Sequence, residues 1–123
     1  MTSEAMERDM TGHLIERKTW AGDPEHWRGE LQGYPFDAGV SLIFVSAEAG
    51  DGPRLHSHPY AETFIIRAGR GLYTIGDRTI EAEAGQILVV PAGVPHKFNS
   101  LGPGRLEAID IHASERFITD WLE

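Results

Sequence analysis

Residues 50–69 read GDGPRLHSHPYAETFIIRAG. The Gly-Asp-Gly-Pro front is turn chemistry, and Gly69 closes the segment. Between them lie His56 and His58, one residue apart, and then Glu62. In an extended chain alternate residues share a face, so the two histidines point the same way. Glu62 has the same parity, although Pro59 bends the chain between them. Two imidazoles and a carboxylate converging on one point suit a borderline divalent cation. Taken alone, the same residues read equally as solvated loop histidines and a surface charge. Phe64 and Ile66 continue the parity of Glu62 and predict an apolar wall beside it, with core packing as the plainer account of both.

Working outward, short apolar stretches alternate with turns. VSLIFVSA, ETFIIRAG, GLYTI, RTIEAE, QILVVPAG, HKFNSL and RLEAIDIHA read as strands, and Gly76-Asp77 reads as a two-residue hairpin turn. QILVVPAG is apolar enough to predict burial on both faces. Many strands, frequent turns and no interior helical period predict an all-β sandwich or barrel. Residues 1–30 are polar apart from Trp20 and Trp27, and predict an extended, partly mobile N-terminal arm. The tryptophans are read as anchors on the body or on a partner subunit. The expected barrel domain spans 31–123. Near its end Phe117, Ile118, Trp121 and Leu122 share a helical face behind Ser114, predicting a helix over about 115–122.

The chain of 123 residues is sized for one domain. Its formal net charge of −8 and lack of a basic patch argue against nucleic acid as partner. It has no cysteine, which removes disulfide and thiolate chemistry. No apolar run is long enough to span a bilayer and no secretory leader is evident, so the expectation is a cytoplasmic protein without a membrane partner.

A third imidazole, His96, follows the tight turn made by Pro91, Gly93 and Pro95, and Phe98 shares its parity. At this point the residues carry a resemblance. Gly50–Gly69 has the spacing G-x5-H-x-H-x3-E-x6-G, and the stretch from Gly85 has G-x5-P-x-G-x2-H, with the fifteen residues Arg70–Ala84 between them. Together they resemble the two signature motifs of the cupin superfamily. The second departs at its end: the family pattern has asparagine four residues after the histidine, where this chain has Ser100 and places Asn99 one residue early. That asparagine is not a metal ligand in the family. The resemblance implies a double-stranded β-helix, a jelly-roll barrel, holding one divalent transition-metal ion (Fe, Mn, Ni, Co, Zn or Cu) on His56, His58, Glu62 and His96. It also points to a homodimer, as do the exposed sheet edges expected of a small jelly roll and an arm, about Leu14 to Trp27, long enough to cross a second subunit.

The expected pocket lining is Tyr60, Phe64, Ile66 and Phe98. Tyr60 and Arg54 lie beside the ligands, either to bind a ligand's carboxylate or hydroxyl or to face water at the barrel mouth. His13 and His26 are read as solvated. His112, sharing parity with Asp110, is read as half of a surface pair or of a pair behind the ligands. No general acid or base stands out, and no organic cofactor motif is present. Two functions stay open. One is a metal-dependent enzyme (dioxygenase, isomerase or decarboxylase) acting on a small oxygenated metabolite. The other is a module that binds or senses a small ligand or metal without turnover.

Overall fold

A computed structural model describes residues 11–123. Its ten strands are β1 (Gly29–Leu31), β2 (Ser41–Ala47), β3 (His56–Ser57), β4 (Glu62–Ala68), β5 (Arg70–Ile75), β6 (Arg78–Glu83), β7 (Ile87–Val90), β8 (His96–Ser100), β9 (Leu106–His112) and β10 (Asp120–Trp121). They form two five-stranded antiparallel sheets, ordered β1-β2-β9-β4-β7 and β10-β3-β8-β5-β6. This is the jelly roll expected from the sequence. Every long strand predicted from the apolar stretches is present.

Alternation sets the interior. On β4, Glu62, Phe64 and Ile66 are buried; on β9, Leu106, Ala108, Asp110 and His112; on β8, His96, Phe98 and Ser100. Register then stacks them, with Glu62 opposite His112, Phe64 opposite Asp110 and Ile66 opposite Ala108. One end of the barrel is an apolar core of Phe64, Ile66, Tyr73, Ala82, Val90, Phe98 and Leu106. The other end collects the histidines. Two glycines fix the segment that carries them. A Cβ on Gly52 would stand 1.8 Å from the Phe98 carbonyl oxygen, so the turn before His56 lies directly on β8 only because no side chain intervenes. Gly69 takes φ 73° between β4 and β5, a conformation open to glycine at little cost.

Three expectations need correction. No helix forms at 115–122. Asp120–Trp121 instead pairs with His56–Ser57 along the open edge of β3. A two-turn helix is marginal by itself, whereas the extended tail satisfies its backbone: Phe117 N–H donates to Gln32 Oε1 and Leu122 N–H to the Leu55 carbonyl. The helical segments among the described residues are the single α-turn Arg17–Trp20 and a 3-10 turn at Tyr34–Phe36. Second, β7 is buried on one face only. It is a sheet edge, where Val90 is buried while Ile87 and Val89 are 63% and 56% exposed. Third, the segment read as an arm enters the fold: Gly29–Leu31 pairs with β2, and Trp20 stacks on Phe44 at 3.9 Å between ring centroids. The start of that segment, residues 1–10, lies outside the described residues. No described helix is long and apolar enough to cross a membrane.

Candidate metal centre

Four buried side chains meet at the polar end of the barrel: His56, His58, Glu62 and His96. One possible ligand atom from each lies within 4.8 Å of the others. They come from both sheets, with β3 and β8 placing His56 opposite His96. The two motif loops are tied together, since Gly93 N–H donates to the His58 carbonyl at 2.7 Å.

Backbone carbonyls orient the three rings. His56 Nδ1 donates to the Arg54 carbonyl at 2.6 Å, His58 Nδ1 to Ile118 at 2.8 Å and His96 Nδ1 to Val94 at 2.9 Å. A carbonyl only accepts, so each Nδ1 carries the hydrogen and each neutral ring presents its Nε2 lone pair. His58 Nε2 and His96 Nε2 then stand 3.1 and 3.0 Å from the same oxygen, Glu62 Oε1. Acceptors packed this closely repel one another unless a cation lies between them. Protons on the rings can serve, and so can a metal ion with nitrogen and oxygen preferences. His58 Nε2 is buried with no hydrogen bond of its own, which fits a coordination position.

The titration tendencies follow from this crowding. Burial pushes the Glu62 carboxyl up, but the His112, His58 and His96 rings outweigh it and hold it far below the usual carboxylate range. Burial pushes His58 down, and the Glu62 carboxylate with the Ile118 carbonyl turns the balance upward. At His56 burial prevails and favours the neutral ring.

The other expected residues fall in different places. Phe64 and Phe98 line a cleft together with three of the four cluster residues, His56, His58 and Glu62, and with Asp110 and His112. Tyr60 stands behind the rings, stacked on His58 at 5.0 Å with its hydroxyl on His112. Ile66 lies deeper, in the apolar core. Arg54 sits over the Trp121 ring at 5.2 Å, at the tail strand. His26 is bonded to Asp23, Nδ1 to Oδ2 at 2.8 Å, and His13 packs against Phe36, so neither is simply solvated.

His112 and Asp110 are not at the surface. Each is 2% exposed. His112 Nε2 is 3.1 Å from Glu62 Oε2, so three histidines, His58, His96 and His112, stand against one carboxylate. Asp110 is enclosed by the barrel, and burial, then the neighbouring Glu62 charge, drives its carboxyl well above its ordinary value. Sequence reasoning paired the two correctly but lacked their side of the sheet. The intervening Ile109 and Ile111 are apolar too, so parity alone gave no inside and outside.

The chain belongs to the cupin family: the cupin domain family matches residues 43–112. It is 31% identical over 62 residues to an uncharacterized protein of Streptomyces coelicolor, which covers 50% of this chain and 59% of that one. In fold it is similar to oxalate decarboxylase of Bacillus subtilis, studied for its Mn(II) centres, with a TM-score of 0.70 and 22% identity over 76% of this chain and 27% of that one. It is also similar to an oxalate oxidase, at TM-score 0.73 and 19% identity over 99% of this chain and 68% of that one. The chain thus spans little more than half of the curated relative it matches and about a quarter of the decarboxylase. At such identities the structural likeness concerns the fold.

Proposed function

We propose that this cupin binds one divalent transition-metal ion on His56, His58, His96 and Glu62 and acts with it on a small oxygenated molecule. The supporting observation is the convergence of two Nε2 atoms, of His58 and His96, on Glu62 Oε1, with a ligand atom of His56 within 4.8 Å of them and all three rings oriented by carbonyl-bound Nδ1 hydrogens. A bound ion would supply Lewis acidity, or redox chemistry if it is iron or manganese. The chain's own part is to orient the ligands through the three carbonyls and to keep the inner side apolar with Phe64 and Phe98. The Mn(II) centres of the Bacillus protein make manganese the first ion to try; iron, nickel, cobalt, zinc and copper follow. Metal analysis after reconstitution and dialysis should give about one ion per chain for this donor set. No retained metal with any of the six ions overturns the reading. Product formation from a panel of small oxygenated acids by metal-loaded protein separates an enzyme from a binding module.

We also infer a homodimer. It is supported by β7, an unpaired edge with Ile87 and Val89 exposed and no charge among its four residues to discourage pairing. Sedimentation equilibrium should show a species of twice 13.6 kDa. Val89→Glu should shift it toward monomer, and a monomeric native protein at micromolar concentration defeats the idea.

A further inference from the structure

The fourth histidine of the cavity has the opposite hydrogen arrangement from the other three. Tyr60 hydroxyl accepts the Ile118 N–H at 3.3 Å and lies 2.7 Å from His112 Nδ1. It has one proton to give. If His112 carried its hydrogen on Nδ1, Nε2 would turn a lone pair toward Glu62 Oε2 at 3.1 Å. Tyr60 donating to Nδ1 avoids that clash and leaves the hydrogen on Nε2. Three rings therefore offer lone pairs to the cluster, and His112 offers an N–H. That N–H lies 3.1 Å from Glu62 Oε2 and acts on its charge, but among the described residues it makes no in-line hydrogen bond.

Two residues earlier on the same inner face, Asp110 Oδ1 is also buried without a hydrogen bond. Both residues line the cleft that contains His56, His58 and Glu62. The side chain opposite Asp110 on β2 is Ile43, which offers no polar atom. A buried polar group without a partner keeps the cost of losing its water. A donor and an acceptor left open on one strand face and lining one cavity mark a place where something else completes the bonds.

We propose that Asp110 Oδ1 and His112 Nε2–H form a hydroxyl-binding subsite beside the metal cluster. A hydroxyl is the group that both donates, to Asp110, and accepts, from His112. The ligand class is a small acid that chelates the ion through two oxygens and carries one further hydroxyl. This rests on the metal reading above, and the test keeps the two apart.

Glycerate and lactate both chelate through the carboxylate and the 2-hydroxyl; they differ in having CH2OH or CH3 at the third carbon. Calorimetric titration of the Mn(II)-loaded and Zn(II)-loaded protein should show glycerate binding at least about 10-fold more tightly, as expected when a buried polar pair is left unsatisfied by the poorer ligand. Asp110→Ala and His112→Leu should each bring the two acids to within about 2-fold, since both halves of the pair are needed to satisfy the hydroxyl. Titration with the metal alone, made first, reads the cluster separately. Failure of the native protein to bind these two ions, and then any of the other four, defeats the metal reading and the subsite with it. Normal metal binding with equal affinity for the two acids, or with no binding of either, overturns the subsite alone and leaves ordered water as its occupant. That comparison uses the native chain and does not depend on the variants folding.

Discussion

On β4, Glu62 and Ile66 stand four residues apart on one buried face; on β9, His112 and Leu106 stand six apart on another. The first of each pair lies at the histidine end of the barrel and the second in the apolar end. The same strands, register and burial thus serve two environments with opposite energetics. At the apolar end the buried side chains gain from leaving water, the Tyr73 hydroxyl, buried without a hydrogen bond, being an exception. At the polar end burial is a cost, offset by carbonyls, by neighbouring rings and by any cation the cluster takes up. Stability should therefore reside in one end and binding in the other, with Phe64 and Phe98 on the boundary. Phe64 touches both, meeting Tyr73 at 5.3 Å and His96 at 6.1 Å edge-on.

The largest expected effect comes from breaking the apolar end. Phe98 is 7% exposed, stacks on Tyr73 at 5.0 Å and lines the cleft. Phe98→Ala should cost about 3–5 kcal/mol of stability, the range for deleting a buried aromatic ring. Denaturant unfolding measures this. An unchanged midpoint would place the stability elsewhere and dissolve the contrast between the two ends.

Next comes the polar end. Glu62→Gln keeps shape but removes the only negative charge among the four candidate ligand residues. Metal affinity should fall by at least the roughly 100-fold that marks the upper range for losing a mere supporting partner. Far-ultraviolet circular dichroism should stay native, because the core lies at the other end. Equal metal content in Glu62→Gln and native protein after dialysis would remove Glu62 from the ligand set. Acid should act in the same direction. Glu62 is held below its ordinary value of 4.5, so its contribution to stability is present above that pH and lost as pH falls toward its folded value. His58 is raised, and protons compete with metal for its Nε2, so the ion should leave in acid before the barrel unfolds.

Much of this division could be read from the chain. The spacing of His56, His58, Glu62 and His96 was legible because each residue type is rare on a buried strand face and the glycine frames fix the register. The strands were legible from apolar alternation. Where both faces are apolar the signal failed. ILVV at 87–90 reads as fully buried yet forms a half-exposed edge, and EAIDIH at 107–112 hides Asp110 and His112 on the inner face because Ile109 and Ile111 fill the outer one. The tail failed for a different reason. Phe117, Ile118, Trp121 and Leu122 satisfy a helical period, but the open edge of β3 and the Nδ1 hydrogen of His58 compete for the same backbone. Such long-range partners leave no local mark in the sequence.

The smallest effect is the one that sharpens the comparison most, because its sign is reversed. Asp110 lies in the barrel with Oδ1 unpaired, and burial, then the Glu62 charge, lifts its carboxyl above the ordinary value of 3.8. A group raised on folding contributes fully below its unfolded value and loses that contribution as pH rises toward its folded one. Below about pH 3.8 the carboxyl is neutral in both folded and unfolded chains and costs the fold little. Above it the unfolded chain gains by ionising, while the folded chain resists. Asp110→Asn removes this penalty, so the variant should melt a few degrees higher than native at pH 7, since about 1 kcal/mol moves Tm by roughly 2–8 °C in a domain of this size. The advantage should shrink toward zero as pH is lowered to 4. Thermal melts of both proteins at pH 4 and pH 7 measure it. A variant less stable than native at neutral pH would mean that Asp110 is satisfied inside the fold and belongs, energetically, with the apolar end. A variant more stable but poorer at telling glycerate from lactate would show a side chain kept at a cost for what it binds.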